Sequence, residues 1–373
     1  MKWVFWIAAA TIVYAYVGYA AWLWFRSRWA PRPVRRGTLQ PPVSAVLVVR
    51  NEETVIARKL QNLLALDYPP EKMQVVVVSD GSTDSTPAIL REFGSTSRVK
   101  TLLKPESQGK ALGLNDAIKL ACGEILLFTD ARQTIEPAAL RLLIENFADP
   151  AVGCVSGELM LGDPADGETE KGMGLYWRIE KKIRELESAS GSVPGATGAL
   201  YCARREMLEP LPAGTILDDV LLPMQLLRKG GRIVFDSRAR AWDSPDLGES
   251  REFSRKVRTL SGNYQLLQLA PWLLTSKNPI RFEFISHKIS RLIVPFALLA
   301  LLISSFLVPQ PWYRTALLAQ LAFYGLSLVA MFGLQIGPLT RVADAARTFV
   351  VLNSAAFMAF FNFVTGRKAV WVR

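Results

Sequence analysis

The residues that could carry chemistry in this chain are mainly carboxylates. The sequence contains one histidine, His287, although Ser-His-Asp triads, Cys-His pairs and histidine metal sites all need a well-placed imidazole. Its three cysteines show no CxxC spacing, which indicates neither a disulfide framework nor a zinc site and fits a reducing compartment. We therefore expect aspartate and glutamate side chains to do any catalytic work.

Two aspartates, Asp80 and Asp130, each end an apolar segment and precede a turn. The segments are MQVVVVSD and EILLFTD. Parallel sheets bind ligands at the carboxyl ends of their strands, so both side chains should face one crevice if the segments are such strands. The alternative is that both aspartates only cap the helices that follow. Neither GxxxxGKS/T nor GxGxxG occurs in the sequence, so we do not expect an ATPase or a dehydrogenase.

The elements that must position these aspartates alternate between strands and helices from Pro42 onwards. The pattern predicts strands at Val43–Val49, Met73–Asp80, Val99–Leu103 and Glu124–Asp130, and helices at Glu52–Leu66, Lys110–Leu120 and from Pro137. Uninterrupted β-branched strands that alternate with amphipathic helices indicate an α/β fold with a parallel sheet covered on both faces.

The composition predicts a membrane protein. Of the 373 residues, 50% are hydrophobic and 21% are charged, below the ~25% charged residues of soluble domains. The run Trp3–Phe25 contains no charged residue and is long enough to span a bilayer, which takes roughly 20 apolar residues. Five arginines follow it, against Lys2 alone before it: Arg26, Arg28, Arg32, Arg35 and Arg36. The positive-inside rule therefore predicts that the following domain is cytoplasmic.

Three more apolar runs lie near the other end of the chain. Leu292–Val308 and Thr315–Gln335 are separated by a short proline-containing turn, which predicts a membrane hairpin. Phe349–Val364 is interrupted by two asparagines and could span the membrane, re-enter it or lie in the interface. The segment Arg281–Arg291 alternates basic and aromatic residues, as an interfacial helix would, and we expect His287 within it to be a polar residue at headgroup level.

The charge balance favours partners with negative charge. Lysine and arginine number 44 and aspartate and glutamate 33, a net charge of +11. Many of the basic residues flank the predicted membrane segments, where each contributes ~1 kcal/mol of attraction to anionic lipid. No nucleic-acid-binding motif accompanies the charge, so we expect membrane lipids rather than nucleic acid as partners.

Seven sequence blocks occur in the order seen in membrane-bound bacterial glycosyltransferases of family 2. They are VVRNEE (Val48–Glu53), VVSDGSTDST (Val77–Thr86), QGKALGLNDAI (Gln108–Ile118), LLFTDAR (Leu126–Arg132), GATGALYCARRE (Gly195–Glu206), LDDVLLPMQLLRKGGRIVFD (Leu217–Asp236) and RKVRTLSGN (Arg255–Asn263). The chain resembles these inverting enzymes from Pro42 to about Gln268. The resemblance implies a GT-A (nucleotide-diphospho-sugar transferase) parallel-sheet domain at residues 42–272. Membrane segments would lie at residues 1–36 and 280–373.

The resemblance also implies which residues bind the donor. Glu52 and Asp80 would hold the nucleoside, with Asp80 at its base–ribose end, and Lys110 would lie beside the nucleotide. Asp130 occupies the first position of the DxD motif, which positions the diphosphate and its divalent cation, Mg²⁺ or Mn²⁺. Asp130 would thus be the metal ligand.

The acceptor side of the site is implied in the same way. Asp219 matches the aspartate of the family's ED pair, which acts as general base on the acceptor hydroxyl, and Asp218 replaces its glutamate partner. The loop beneath the donor sugar and the acceptor would contain Gly195, Thr197 and Gly198. From the residues alone, either aspartate could instead cap the helix that starts at Val220.

Two positions depart from the family pattern. Arg255 and Arg258 match the basic positions of the (Q/R)xxRW motif that contacts the diphosphate, but Thr259 replaces its tryptophan, which predicts addition of one or a few sugars rather than a long polymer. Arg132 replaces the second aspartate of DxD. We expect reduced metal dependence, with the Arg132 guanidinium sharing in neutralisation of the diphosphate. The alternative is that Arg132 turns outward to pair with Glu136.

The function that these residues predict is sugar transfer at the inner (plasma) membrane. A multi-pass enzyme with a cytoplasmic catalytic domain would move a sugar from a nucleotide-sugar donor to a lipid-linked or polysaccharide acceptor in cell-envelope synthesis. Two other functions stay open. A nucleotidyltransferase would need the glycine-rich phosphate loop that the sequence lacks, and a membrane-tethered nucleotide-sugar sensor without catalysis would have no need to retain Asp219.

Overall fold

The structure is a computed structural model that describes residues 1–162, 175–243, 249–334 and 337–366. The described residues form one eight-stranded sheet in the order β3-β2-β1-β4-β7-β6-β8-β5. Its strands are β1 (Val43–Val49), β2 (Met73–Asp80), β3 (Val99–Lys104), β4 (Ile125–Phe128), β5 (Thr134–Ile135), β6 (Val152–Leu161), β7 (Tyr201–Arg204) and β8 (Arg232–Asp243).

The helices have the following bounds. They are α1 (Lys2–Trp29), α2 (Ile56–Leu64), α3 (Thr86–Phe93), α4 (Lys110–Leu120), α5 (Ala139–Glu145), α6 (Leu175–Ser190), α7 (Asp218–Arg228), α8 (Glu249–Leu269), α9 (Arg281–Leu307), α10 (Pro311–Met331) and α11 (Thr340–Val364). The predicted strands at β1 and β2 and the predicted helix at α4 are confirmed at both ends.

The sheet is mixed, with mostly parallel strands, and the predicted α/β fold with its parallel strands is confirmed. Strand β1 pairs in parallel with β2 and β4, and β2 with β3. Strand β7 runs antiparallel between β4 and β6, with Phe128 opposite Tyr201. Because Phe128 ends β4 and Tyr201 begins β7, the chain enters β7 from the carboxyl edge of β4. The segment just before β7 therefore crosses the edge at which parallel strands bind ligands.

Side chains of the central strands divide between two cores. Ala45 and Leu47 of β1 are buried in one cluster, and Val46 and Val48 are buried in the other. This follows from the alternation of side chains along a strand. The prediction that both faces of the sheet are covered is thus confirmed.

Helix α2 is shorter than predicted at its start. The expected span was Glu52–Leu66, whereas the helix begins at Ile56. The backbone amides of Glu52 and Glu53 donate to Thr86 Oγ1 and Asp84 Oδ2, at 2.9 and 3.2 Å. Because these amides bond to the β2–α3 loop, residues 51–55 form a loop rather than a first helical turn.

Four helices in the described part of the chain are long and apolar enough to cross a membrane: α1, α9, α10 and α11. The run Phe349–Val364 belongs to the 25-residue helix α11, which is long enough to span. Residues 281–291 are not a separate interfacial helix, because α9 continues from Arg281 to Leu307. The predicted run Thr315–Gln335 ends at residue 335, which lies outside the described residues. The tail, residues 367–373, also lies outside them. The division at residues 1–36, 42–272 and 280–373 stays a prediction.

The apolar helices pack on one another and on the sheet domain. Asn353 of α11 donates to the Tyr16 hydroxyl of α1 at 3.0 Å. The rings of Tyr264 in α8 and Phe363 in α11 stack with centroids 5.3 Å apart. Helix α8 thus connects the domain to the apolar helices.

Candidate active site

The loops that follow β1 and β2 are bonded to each other at the carboxyl edge of the sheet. Asn51 adopts a positive φ of 55°, and its side-chain oxygen accepts from the Thr83 amide at 2.8 Å. Glu52 follows and is half-buried. Burial raises the pKa of Glu52, and the nearby Asp130 carboxylate adds to the effect while Arg132 opposes it. The structure therefore brings Glu52 near Asp130 and Arg132, and its contact with a nucleoside stays a prediction.

Asp80 is only 3% exposed and holds the loop that leads into α4. Its carboxylate accepts hydrogen bonds from the Ser107 hydroxyl at 2.7 Å and from the Gln108 and Gly109 amides at 2.8 and 2.9 Å. A cavity of about 40 Å³ lies against Asp80 and Lys110. Asp80 thus positions Lys110, and its contact with a nucleoside stays a prediction.

Lys110 joins two carboxylates that are distant in the sequence. Its Nζ lies 2.9 Å from Asp130 Oδ1 and 3.3 Å from Asp218 Oδ2. Burial disfavours the charged ammonium, but the two carboxylates outweigh burial and raise the pKa of Lys110. Burial likewise disfavours ionised Asp130, but Lys110 outweighs it and lowers the pKa of that carboxyl. Lys110 and Asp130 are therefore both charged at neutral pH.

Asp219 is the carboxylate with the properties of a base. It is half-buried, and its Oδ2 accepts from the Gly198 amide at 3.2 Å. Burial, and then the adjacent Asp218, raise the pKa of Asp219 to about 6 although Lys110 opposes them. Such a group is deprotonated at neutral pH yet more basic than a free aspartate, as general-base catalysis requires. The capping alternative is wrong, because Leu217 occupies the N-cap position of α7.

The loop before β7 passes directly over α7. Gly195 has φ 119°, a conformation that favours glycine, and the Ala196 amide donates to the Asp219 carbonyl at 2.8 Å. A Cβ placed on Gly198 would lie 3.1 Å from Asp219 Oδ2. The three predicted loop residues therefore do lie beside the predicted base.

We expect Gly198→Ala to lower kcat about tenfold, which corresponds to ~1.4 kcal/mol, while the protein stays folded. The added methyl group meets the Asp219 carboxylate at 3.1 Å and must displace it. Steady-state kinetics and thermal unfolding measure the two effects separately. The control is Ala199→Gly in the same loop, and we expect its kcat to stay within about threefold of wild type. Gly214→Ala is not a matched glycine-to-alanine control, because Gly214 has a φ of 74°. An unchanged kcat in Gly198→Ala would contradict the placement of Asp219.

Arg184 of α6 supports this loop and was not predicted from the sequence. Its guanidinium donates to Thr197 Oγ1 at 2.6 Å and to Ser156 Oγ at 2.8 Å. Ser156 Oγ in turn accepts from the Thr197 amide at 2.9 Å. Arg184 lies in a helix rich in both signs of charge, which is typical of a solvated surface, so the sequence gives no signal for it.

Lys59 is a second residue that was not predicted. It is 2% exposed, and its ammonium donates to Thr129 Oγ1 and to the Gln133 carbonyl, both at 2.8 Å. Burial lowers the pKa of Lys59 to about 7. The sequence did indicate that Lys59 is buried, because Lys59 lies three residues after Ile56, on the apolar face of α2. Through Thr129 and Gln133, Lys59 holds the segment that carries Asp130 at both ends.

Arg132 and Arg255 converge on one buried carboxylate, Asp243. The nearest guanidinium nitrogen of each lies 3.9 Å from Asp243 Oδ2. Arg132 therefore does not pair with Glu136, which accepts from the Trp242 indole instead. Asp243 ends β8, and it was not predicted because its role depends on a contact between distant segments.

The predicted donor-binding cations thus share one edge of the sheet. Arg258 is half-buried one helical turn beyond Arg255, and burial and the Arg132 charge lower the pKa of Arg255. Among the described residues, no three histidine, cysteine, aspartate or glutamate side chains form a metal-binding group. Asp130 can supply one carboxylate, and Mg²⁺ takes only one or two of them when phosphates provide the rest. The residues present therefore fit a cation shared with a diphosphate.

The chain has a GT-A fold, which a solved structure shares. The chain matches the mannosyltransferase PcManGT from Pyrobaculum calidifontis, solved with GDP-Man and Mn²⁺, with a TM-score of 0.73 and 23% identity. The match covers 98% of this chain and 99% of that one. It confirms the predicted GT-A fold over the length of the chain.

Residues 44–211 match the model of the family Glycosyl transferase family 2, so the chain contains a family 2 glycosyltransferase domain. It is 28% identical over 192 residues to Beta-monoglucosyldiacylglycerol synthase of Synechocystis sp., covering 50% of this chain and 40% of that protein. It is 24% identical over 234 residues to Poly-beta-1,6-N-acetyl-D-glucosamine synthase of Staphylococcus epidermidis, covering 62% and 56%. The chain thus spans between two fifths and three fifths of these relatives' lengths.

Proposed function

We propose that this protein is a membrane-bound inverting glycosyltransferase that moves a sugar from a nucleotide-sugar donor to a lipid-linked or polysaccharide acceptor. The observation that carries the proposal is the Lys110 bridge between Asp130 and Asp218, with Asp219 beside it. The raised pKa of Asp219 supports its proposed role as the base, and the neighbouring Lys110 supports a donor site lined by cations. The two relatives are a glycolipid synthase and a polysaccharide synthase by name, which supports both acceptor classes.

In the proposed reaction, Asp219 takes the proton of the acceptor hydroxyl as that oxygen attacks the anomeric carbon. The bond between this carbon and the diphosphate breaks with inversion, and the diphosphate leaves with the electron pair. Lys110 and Arg132 stabilise the negative charge that develops on the leaving group, an effect that fixed cations in a dehydrated site supply efficiently. Arg255 and Arg258 extend the same cationic edge. Thr259, in place of the family's tryptophan, supports the addition of one or a few sugars.

Asp130 would hold the divalent cation, Mg²⁺ or Mn²⁺, together with diphosphate oxygens. The cation would neutralise part of the diphosphate charge when bound. Arg132 stands at the position of the second DxD carboxylate, where a fixed guanidinium can supply part of the same neutralisation. The enzyme should therefore depend less on metal than one with two carboxylates.

We expect the wild-type enzyme to keep about a tenth of its activity in excess EDTA, a loss of ~1.4 kcal/mol, and Arg132→Ala to lose nearly all of it. Sugar transfer is measured with and without Mg²⁺ for both proteins. Arg141→Ala, which removes a half-exposed arginine of α5 that pairs with Asp67 and Glu145, is the control. Complete loss in EDTA, together with an unimpaired Arg132→Ala enzyme in Mg²⁺, would contradict the assignment.

We also propose that the protein is a multi-pass protein of the inner membrane with its catalytic domain in the cytoplasm. The four apolar helices support membrane insertion. Arg26 and Arg28 in the last turn of the first of them support a cytoplasmic position for the sheet domain by the positive-inside rule.

A thermal-shift screen of nucleotide sugars tests the donor site first. A ligand at 100 times its dissociation constant adds ~2.7 kcal/mol of stability, so the true donor should raise Tm clearly while other nucleotide sugars do not. The donor identified in this way is then used in the turnover assays. If no nucleotide sugar raised Tm, the proposed donor site would be wrong.

A further inference from the structure

Helix α6 (Leu175–Ser190) lies between the active-site loop and the apolar helices. It packs against the last part of α1 and against β8. Three of its charged residues, Glu180, Arg184 and Glu187, are spaced by four and three residues, so they lie along one side of the helix. The proposed mechanism uses none of the three, and their contacts reach both the site and the apolar helices.

His287 of α9 contacts both of these glutamates. Its Nδ1 lies 2.8 Å from Glu187 Oε1, and its Nε2 lies 2.9 Å from Glu180 Oε1. An ionised carboxylate accepts hydrogen bonds and cannot donate them, so the two contacts together require protons on both ring nitrogens. His287 is 3% exposed. The ring is therefore enclosed as an imidazolium between two carboxylates of α6, and its level relative to the lipid headgroups stays a prediction.

Two further residues from the apolar helices complete this cluster. Arg291 of α9 donates to Glu180 Oε2 at 2.7 Å, and the Tyr19 hydroxyl of α1 donates to Glu187 Oε1 at 2.6 Å. The two carboxylates thus bond to two cations and one hydroxyl, and the Arg184 guanidinium also lies within electrostatic reach of both. Removal of one partner from a buried ion pair is strongly destabilising locally, because the remaining charge is left uncompensated.

Helix α6 also holds the loop beside the base. Arg184 lies between the two glutamates in sequence and donates to Thr197 Oγ1 at 2.6 Å and to Ser156 Oγ at 2.8 Å. The next residue, Gly198, donates its amide to Asp219 Oδ2 at 3.2 Å. The apolar helices are therefore linked to the predicted base by ion pairs to α6, by the Arg184 hydrogen bonds to the loop and by the Gly198 amide.

We propose that His287 is a positioning residue whose imidazolium fixes α6 and, through Arg184, the loop beside Asp219. The proposal rests on the proposed function only where activity is concerned. Without the imidazolium, Glu180 and Glu187 would lose their shared cation and repel each other. Helix α6 would then shift, and Arg184 would no longer hold Thr197 in place.

The test is His287→Gln in the full-length protein, with hydrogen exchange as a readout independent of activity. The amides of residues 196–198 are all bonded, to the Asp219 carbonyl, Ser156 Oγ and Asp219 Oδ2. We expect their exchange to quicken about tenfold while the sheet strands stay protected. We expect kcat to fall roughly 10- to 100-fold with the donor KM within about twofold, because misplacement of a reacting group acts on the chemical step.

Second variants and a control keep the result interpretable. His287→Gln combined with Glu187→Gln removes the uncompensated charge and should restore part of the loop protection. Glu187→Gln alone serves if His287→Gln does not fold, with a smaller effect in the same direction. Lys182→Gln removes an exposed ion pair within the same helix and should leave exchange and kcat unchanged.

The outcomes separate the possible failures. Faster exchange in residues 196–198 of the variant supports the positioning role even if no sugar transfer is ever found. Unchanged exchange in this loop, or an equal rise in exchange throughout the domain, would overturn the proposal whatever the activity.

Discussion

Asp219→Asn is expected to lower kcat by roughly 10²- to 10⁴-fold, the range that general-base catalysis supplies. The asparagine keeps the size of the side chain and an oxygen for the Gly198 amide, which donates to Asp219 Oδ2 at 3.2 Å, but it cannot take the hydroxyl proton. Donor binding uses other residues, so the donor KM should stay within about threefold. Initial rates at saturating donor and acceptor measure the effect.

Asp67→Asn is the matched control for this variant, because Asp67 is an exposed carboxylate paired with Arg141. It should leave kcat unchanged. An Asp219→Asn enzyme that keeps a tenth or more of the wild-type kcat, a loss of at most ~1.4 kcal/mol, would show that another group is the base.

Lys110→Met is expected to lower kcat about 100-fold and to move the acidic limb of the pH–rate profile to higher pH. The ammonium lies 2.9 Å from Asp130 and 3.3 Å from Asp218. Its charge lowers the pKa of Asp219, which is about 6 in the intact site. Removal of that charge favours the protonated acid, so the pKa rises and the base becomes available only at higher pH. The profile of kcat/KM against pH measures the shift.

Lys119→Met is the control for Lys110→Met, since Lys119 is an exposed lysine of the same helix. Its pH profile should coincide with that of the wild type. If the acidic limb of Lys110→Met stayed at the wild-type pH, Lys110 would not act on the titrating group. Asp219 would then not be the group that takes the proton in the rate-determining step.

Local patterns in the sequence predicted the elements that depend on local forces. Strands β1 and β2 are runs of buried β-branched residues, and helix α4 follows a glycine with a positive φ of 93° at Gly109. These signals lie within a few residues, so their boundaries were correct. The direction of β7 could not be predicted in this way, because it depends on where the preceding loop crosses the edge of the sheet.

The candidate site was predicted unevenly for the same reason. Asp80 and Asp130 could be found from their positions at strand ends, whereas Asp219 and the loop at Gly195 were implied only by the family resemblance. Arg184 and Asp243 acquire their roles from contacts across the fold, which their neighbours in the sequence do not indicate. Lys59 could have been predicted from the sequence, since a lysine at a buried position of an amphipathic helix indicates a specific buried partner.

The most direct test of the central claim is the stoichiometry of a single reaction. Purified protein is mixed with the donor from the thermal-shift screen, labelled in its sugar, and with a membrane lipid extract as acceptor. One nucleoside diphosphate should be released for each labelled sugar that enters the lipid or glycan fraction, and Asp219→Asn should abolish both. Release of the labelled sugar as sugar 1-phosphate, with the nucleoside monophosphate transferred to the acceptor, would indicate nucleotidyl transfer instead. Tight donor binding with no acceptor-dependent release of nucleoside diphosphate would contradict the proposed function.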